Sequence, residues 1–242
     1  MAKKVFVIDV ARCNGCHNCQ IVCKDEHVTN DWSPIAKPQP DIGQFWLELT
    51  ETVRGTVPKV KVAYRPHLCM HCDQAPCIEA CPYDVIFFNE ALNLAQKCTG
   101  CAHLLDDGWA EPRCADACPT NCLRMMDEDD AKALIAQGQV WKPELKDQVK
   151  PRVYYLNLPK KFIAGTLYEP VDEEVVIGAT ATLKAADGTV LTTETDSYGD
   201  FWFEGIDEGV YDLELEHGGK VKSFAALDTT EKDINLGDIP LR

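Results

Sequence analysis

The chain has 242 residues, 45% of them apolar, and a formal charge of −15. That is enough material for one large domain or two ordinary ones with a packed core, and the sign excludes a nucleic-acid binder, whose affinity comes from neutralising phosphates. The longest apolar runs are a few residues, against the roughly 20 that cross a bilayer, so no membrane span is expected.

The opening Lys3-Lys4-Val5-Phe6-Val7-Ile8-Asp9 starts like an export signal, but its apolar stretch ends at Asp9, short of an apolar segment of about 7–15 residues. It is expected to be a short edge-to-core strand, and the protein cytoplasmic. Three cysteine groups follow. The first is Cys13-x2-Cys16-x2-Cys19-x3-Cys23, the spacing of bacterial ferredoxins. The second is Cys69-x2-Cys72-x4-Cys77-x3-Cys81 with Pro82 behind it, and the third Cys98-x2-Cys101-x12-Cys114-x3-Cys118 with Pro119 behind it. Cys122 is left over, either a buried free thiol or a substitute for Cys118. Between the first two groups lies a Pro-rich stretch, Trp32–Pro40.

Beyond the cysteines, Asp127 to Gln137 is expected to form a helix, with acidic residues in its first turn and Gly138 ending it. Residues 142–161 read as an extended tail with a short strand at Val153–Leu156, packed across a surface. From about 163 the pattern becomes all-β. Asp187-Gly188 between two apolar runs signals a hairpin, and Phe201, Phe203, Tyr211, Leu213 and Leu215 each alternate with polar or exposed neighbours. The expected architecture is an α+β ferredoxin-like multi-cluster domain over 1–160, followed by an all-β sandwich or barrel over 161–242. Residues 163–242 hold 18 acidic and 5 basic side chains, consistent with a solvated module.

All thirteen cysteines lie between Cys13 and Cys122. An odd number without an export signal argues for metal ligands over disulfides. Zinc uses two separated cysteine pairs, which suits three evenly spaced cysteines poorly. In the ferredoxin pattern the first three cysteines hold one cubane, and the fourth reaches a neighbouring one. Crossed ligation therefore assigns Cys13, Cys16, Cys19 and Cys118 to one [4Fe–4S] cluster, and Cys98, Cys101, Cys114 and Cys23 to a second. Cys69, Cys72, Cys77 and Cys81 together take a third. His17, His71 and His103 sit in or beside the motifs, and Lys97 and Arg113 adjoin ligands where their charge offsets that of the clusters. No general acid, base or nucleophile set is evident.

In this order the motifs resemble those of the ferredoxin-type subunits of molybdopterin oxidoreductases related to dimethyl-sulfoxide reductase. A full four-cluster subunit has a further motif in the middle. Here Cys77-Ile-Glu-Ala-Cys81-Pro82-Tyr83 fuses the front of one motif to the back of another, so the fourth cluster is expected to be absent. Lys97-Cys-Thr-Gly-Cys-Ala-His-Leu-Leu-Asp-Asp107, Lys150-Pro-Arg-Val-Tyr-Tyr155 and the β-tail resemble the small subunits of the pyrogallol–phloroglucinol transhydroxylase branch. The Thr195–Phe203 and Gly209–Leu213 stretches resemble transthyretin-like or collagen-binding-B-type (Cna-B-like) modules. The resemblance implies an electron-transfer role in a heterodimer or larger assembly. Its large catalytic partner would carry molybdopterin guanine dinucleotide with Mo or W and act on hydroxylated aromatics. The alternatives are a subunit of a related enzyme with net electron flow (an arene dehydroxylase, a resorcinol hydroxylase or an arsenate-type reductase) and a free-standing polyferredoxin.

Overall fold

A computed structural model describes residues 3–75, 77 and 81–242. The chain divides into two units, Met1–Thr52 with Ala63–Leu158, and Val53–Val62 with Pro159–Arg242.

The first unit is built on β1 (Lys4–Asp9), whose four consecutive apolar residues are buried on both faces. Phe6 and Ile8 enter the main core, while Val5 and Val7 pack with Ala131 and Leu156 on the other side. Such a run suits a strand covered on both sides, and β1 is accordingly the middle of three strands rather than an edge. After it come α1 (Asn18–Val28) and a hairpin of β2 (Leu47–Thr56) and β3 (Lys59–Leu68). Next are the small ribbon β4 (Phe87–Asn89) and β5 (Leu94–Gln96), then the short helices α2 (Ala102–Asp106) and α3 (Arg113–Asp116). The unit finishes with β6 (Leu123–Asp127), α4 (Lys132–Gln137), α5 (Lys146–Val149) and β7 (Val153–Leu156).

Strand β6 runs antiparallel to β1 and β7 parallel to it. Two expectations change here. The helix expected from Asp127 begins only at Lys132, because Asp127 closes β6 opposite Lys4 and pairs with its ammonium at 3.0 Å. The 142–161 tail is not a surface strap. Its strand β7 completes the central sheet and buries Val153 and Tyr155, whose hydroxyl donates to the Pro66 carbonyl at 3.0 Å.

The second unit stacks two sheets. One has the order β11 (Val190–Glu194), β10 (Thr180–Ala185), β13 (Val210–His217), β14 (Lys220–Asp228), all antiparallel. In the other, β8 (Lys161–Glu169) lies between β12 (Asp200–Ile206) and a parallel β15 (Ile234–Pro240), with β9 (Glu174–Val175) also paired to β8. The Asp187-Gly188 turn sets the β10–β11 register, placing Leu183 opposite Leu191. The alternating residues Phe201, Phe203, Leu213 and Leu215 fill the core with Ile163, Leu167 and Leu183, each worth about 1.5–3 kcal/mol of burial.

The tip of the β2–β3 hairpin belongs to this unit. Arg54 pairs with Asp233 at 3.1 Å and donates to the Lys160 carbonyl at 2.7 Å. Lys59 pairs with Asp200, and the Lys61 ammonium lies 4.6 Å from the Trp202 ring centre. Asn235 donates to the Thr56 carbonyl at 3.0 Å. Among the described residues no helix is long and apolar enough to cross a membrane.

Candidate iron–sulfur centres

The cysteines are not scattered over the first unit. Cys19, Cys23, Cys69, Cys98, Cys114 and Cys122 are part of its apolar core, beside Phe6, Ile8, Leu68 and Met70. All thirteen are free thiols. Helix α1 carries Cys19 and Cys23 one turn apart on its buried face, and it packs on α3, whose segment carries Cys114 and Cys118. Neighbours four apart on a helix lie side by side, so this helix pair can feed two adjacent sites from both ends.

The thiols fall into three groups. Cys13, Cys16, Cys19 and Cys118 line one pocket, and Cys122 lies in its wall. Cys23, Cys98, Cys101 and Cys114 form a second group in which every member is buried. Cys69, Cys72, Cys77 and Cys81 form the third. Burial, followed by the neighbouring sulfurs, pushes Cys19 up to about 12 and Cys72 up to about 11, and raises Cys23 and Cys114. Burial also pushes Cys98 up to about 12. Grouped thiols that resist ionising one by one suit a polynuclear metal centre, which holds its ligands as thiolates. Among the described residues no three His, Cys, Asp or Glu side chains converge closely enough for a single metal ion. Sets of four cysteine sulfurs are the donor chemistry that cubane iron–sulfur clusters take.

Backbone geometry supports the same use. The third residue of the Cys-x-x-Cys turn that opens each group is left-handed, at φ +74° for Gly15, +48° for His71 and +65° for Gly100. This turns its amide back to the first sulfur: His71 N–H to Cys69 at 3.5 Å and Gly100 N–H to Cys98 at 3.4 Å, with Gly15 likewise on Cys13. Amide donors to ligand sulfur are one of the levers on cluster potential.

Cys118 and Cys122 differ. Burial opposes ionisation of Cys118, but the Leu123, Thr120 and Cys122 amides and the Thr120 hydroxyl at 3.7 Å outweigh it and lower the thiol. Cys122 is pushed upward by its hydrogen bond to Cys13 and by burial, while that same bond holds Cys13 down. Hydrogen bonding therefore favours the thiolate at Cys118 and opposes it at Cys122.

His17 is exposed, with Nδ1 3.1 Å from the Gln20 amide oxygen. His71 is half-buried beside Phe6, and the burial of its ring, helped by Lys97 and Arg152, lowers it to about 4. His103 contacts Glu26 at 3.0 Å and stacks on Trp32 at 4.3 Å, so the Pro-rich stretch begins packed against this unit. Arg113 lies 3.9 Å from the same Glu26 and 3.1 Å from Asp116, and Lys97 donates to the Cys98 carbonyl at 3.2 Å. One further residue was not singled out in the sequence. His27 is buried with its Nε2 4.0 Å from Cys101 sulfur, and burial followed by His103 lowers it to about 4. The signal was present, since Cys19, Cys23 and His27 recur every fourth residue on one face of α1.

The 4Fe-4S dicluster domain family matches residues 75–128. The pyrogallol hydroxytransferase small subunit of Pelobacter acidigallici is 37% identical over the whole of both chains. The chain belongs to this small-subunit family. It is an iron–sulfur electron-transfer subunit within the molybdopterin oxidoreductases. The iron–sulfur subunit ArrB of arsenate respiratory reductase from Shewanella sp. (strain ANA-3) is 28% identical across 63% of this chain and 95% of its own. The full-length match to the Pelobacter small subunit also takes in the β-sandwich unit. Among solved structures, the BcpA major pilin subunit of Bacillus cereus aligns with 37% of this chain and 32% of its own at 16% identity, with a TM-score of 0.27, too low to relate the folds.

Proposed function

We propose that the chain holds three [4Fe–4S] clusters as a relay serving a catalytic partner that carries molybdopterin guanine dinucleotide with Mo or W. In this reading Cys13, Cys16, Cys19 and Cys118 hold the first, Cys98, Cys101, Cys114 and Cys23 the second, and Cys69, Cys72, Cys77 and Cys81 the third. When bound, the clusters supply one-electron transfer. The chain's own residues fix their order and their surroundings. The observation that carries the proposal is the grouping itself, with the wholly buried Cys98 group in the middle. Cys98 feels Cys69 of one neighbour, and Cys114 feels Cys19 of the other. Cys16 is exposed, which favours the first group as the edge where electrons pass to the partner. The sandwich unit, transthyretin-like or Cna-B-like in this reading, serves assembly rather than electron transfer.

By its similarity to a pyrogallol hydroxytransferase small subunit, the complex is proposed to move a hydroxyl group between hydroxylated benzenes, a reaction with no net electron demand. The clusters then prime the partner's cofactor. The test is turnover of pyrogallol by the native complex, purified anaerobically, with and without an external electron carrier. Turnover without a carrier is expected. Turnover only with one overturns the transhydroxylase reading and favours a reductase or hydroxylase with net electron flow, to which the likeness to an arsenate reductase subunit points.

A further inference from the structure

The face of α1 that carries Cys19 and Cys23 ends on His27, which is 1% exposed and turns its Nε2 toward Cys101 sulfur at 4.0 Å. The ring is wedged in place. Trp46 lies against it with ring centres 4.6 Å apart, and His103 meets it edge-on at 5.3 Å. His103 is itself fixed by Glu26 at 3.0 Å and by Trp32, stacked on it at 4.3 Å.

The surroundings also choose the tautomer. Nδ1 is buried and has no hydrogen-bond partner among the described residues. A proton there would be an unmet donor, and it would leave the Nε2 lone pair facing a ligand sulfur, which as a thiolate only accepts. A proton on Nε2 meets that sulfur instead. Backbone amides reach the same group of cysteines, from Leu47 to Cys23, from Gly100 to Cys98 and from Arg113 to Cys101. Among the described residues His27 supplies the one side-chain donor to these four sulfurs.

We propose that His27 is a positioning residue that donates its Nε2–H to Cys101 sulfur and so makes the buried middle cluster easier to reduce. The proposal rests on the assignment of Cys23, Cys98, Cys101 and Cys114 to one [4Fe–4S] cluster. Reduction adds one negative charge to that cluster. Where every ligand is buried, no solvent dipole can turn to meet the added charge, so fixed donors aimed at the sulfurs must do it. A cluster walled in without them would be harder to reduce than its more exposed neighbours and would block the relay between them.

Redox titration of the native complex, followed by EPR under anaerobic conditions, compares His27→Phe and His27→Gln with the unaltered protein. Phe keeps a flat ring beside Trp46 and His103 but has no N–H, whereas Gln carries an N–H donor at the depth of Nε2. In His27→Phe the reduction equilibrium of one cluster is expected to fall about tenfold, which for one electron is about 59 mV, while the other two clusters keep theirs. His27→Gln should restore at least half of that shift. Unmoved potentials with full iron, or equal shifts in the two variants, overturn the proposal. Histidine labelled with ¹⁵N in the ring should also give the reduced complex a weak nitrogen coupling in pulsed EPR that is lost in either variant. Its persistence in His27→Gln overturns the proposal even where His27→Phe fails to hold iron. Cys101→Ala is expected to lose about four irons; full iron in that variant overturns the cluster assignment beneath the proposal instead.

Discussion

Substituting Gly15 and Gly100 separates two effects that usually come together. Both glycines are left-handed, where a side chain costs about 1–2 kcal/mol. A methyl group at Gly15 would also lie 2.6 Å from two Tyr64 ring carbons, so the ring or the loop must move, at about 1–3 kcal/mol for overpacking. At Gly100 the nearest atoms would be Met125 Cε at 3.4 Å and His71 Cε1 at 3.5 Å, ordinary contact that adds nothing. Gly15→Ala should therefore cost about 2–5 kcal/mol and Gly100→Ala about 1–2. At roughly 2–4 °C per kcal/mol for a unit of this size, the two midpoints should differ by about 2–12 °C. The assay is thermal bleaching of the visible cluster absorption under anaerobic conditions. Adding Tyr64→Ala to Gly15→Ala should recover most of the difference. A Gly100→Ala midpoint at or below that of Gly15→Ala, or no recovery in the double variant, would refute the reasoning.

Further expectations concern ligands, pH and the second unit. Cys122→Ala should keep about twelve irons per chain and Cys118→Ala should lose about four, as iron-to-protein ratios will report; the reverse would exchange their roles. Burial raises the Tyr155 phenol from 10.0 to about 12. Because the folded value lies above the unfolded one, the stability it gives is complete below pH 10 and is lost as pH rises toward 12. Tyr155→Phe should flatten that alkaline loss, while weakening the fold at neutral pH by about 1–3 kcal/mol through the unmet Pro66 carbonyl. Denaturant midpoints across pH will check both. Asp233→Ala removes the acceptor for both Arg54 and the Phe162 amide, and should destabilise the second unit by about 3–5 kcal/mol. Denaturant unfolding followed by sandwich tryptophan fluorescence is the measurement, with cluster absorption retained.

Where local pattern determines local structure, the sequence was a good guide. The Asp187-Gly188 hairpin, the alternating strands around Phe201 and Leu213 and the Val153–Leu156 strand follow directly from turn chemistry and period. That the cysteines serve iron–sulfur chemistry was legible because their spacing is dictated by the cluster more than by the fold. What depended on distant partners was not. That β7 pairs with β1 rather than lying on the surface is decided by a neighbour about 150 residues away. The β2–β3 hairpin turns at Val57-Pro58 rather than at an Asn-Gly or Asp-Gly pair. His27 lies outside the cysteine motifs, and only the helix face that continues Cys19 and Cys23 marks it.

The hairpin that starts and ends in the first unit but gives its tip to the second has a consequence for how the protein is made. Arg54 leaves the ribosome 106 residues before Lys160 and 179 before Asp233, and Lys59 likewise long before Asp200. During synthesis the tip has none of these partners, so the sandwich cannot close around it until the chain is nearly finished. Nor can the two units be separated by one cut near residue 158. Such a cut would strand Arg54 and Lys59 on one fragment and their carboxylates on the other, and a genetic dissection of this chain must transplant the loop as well as the tail.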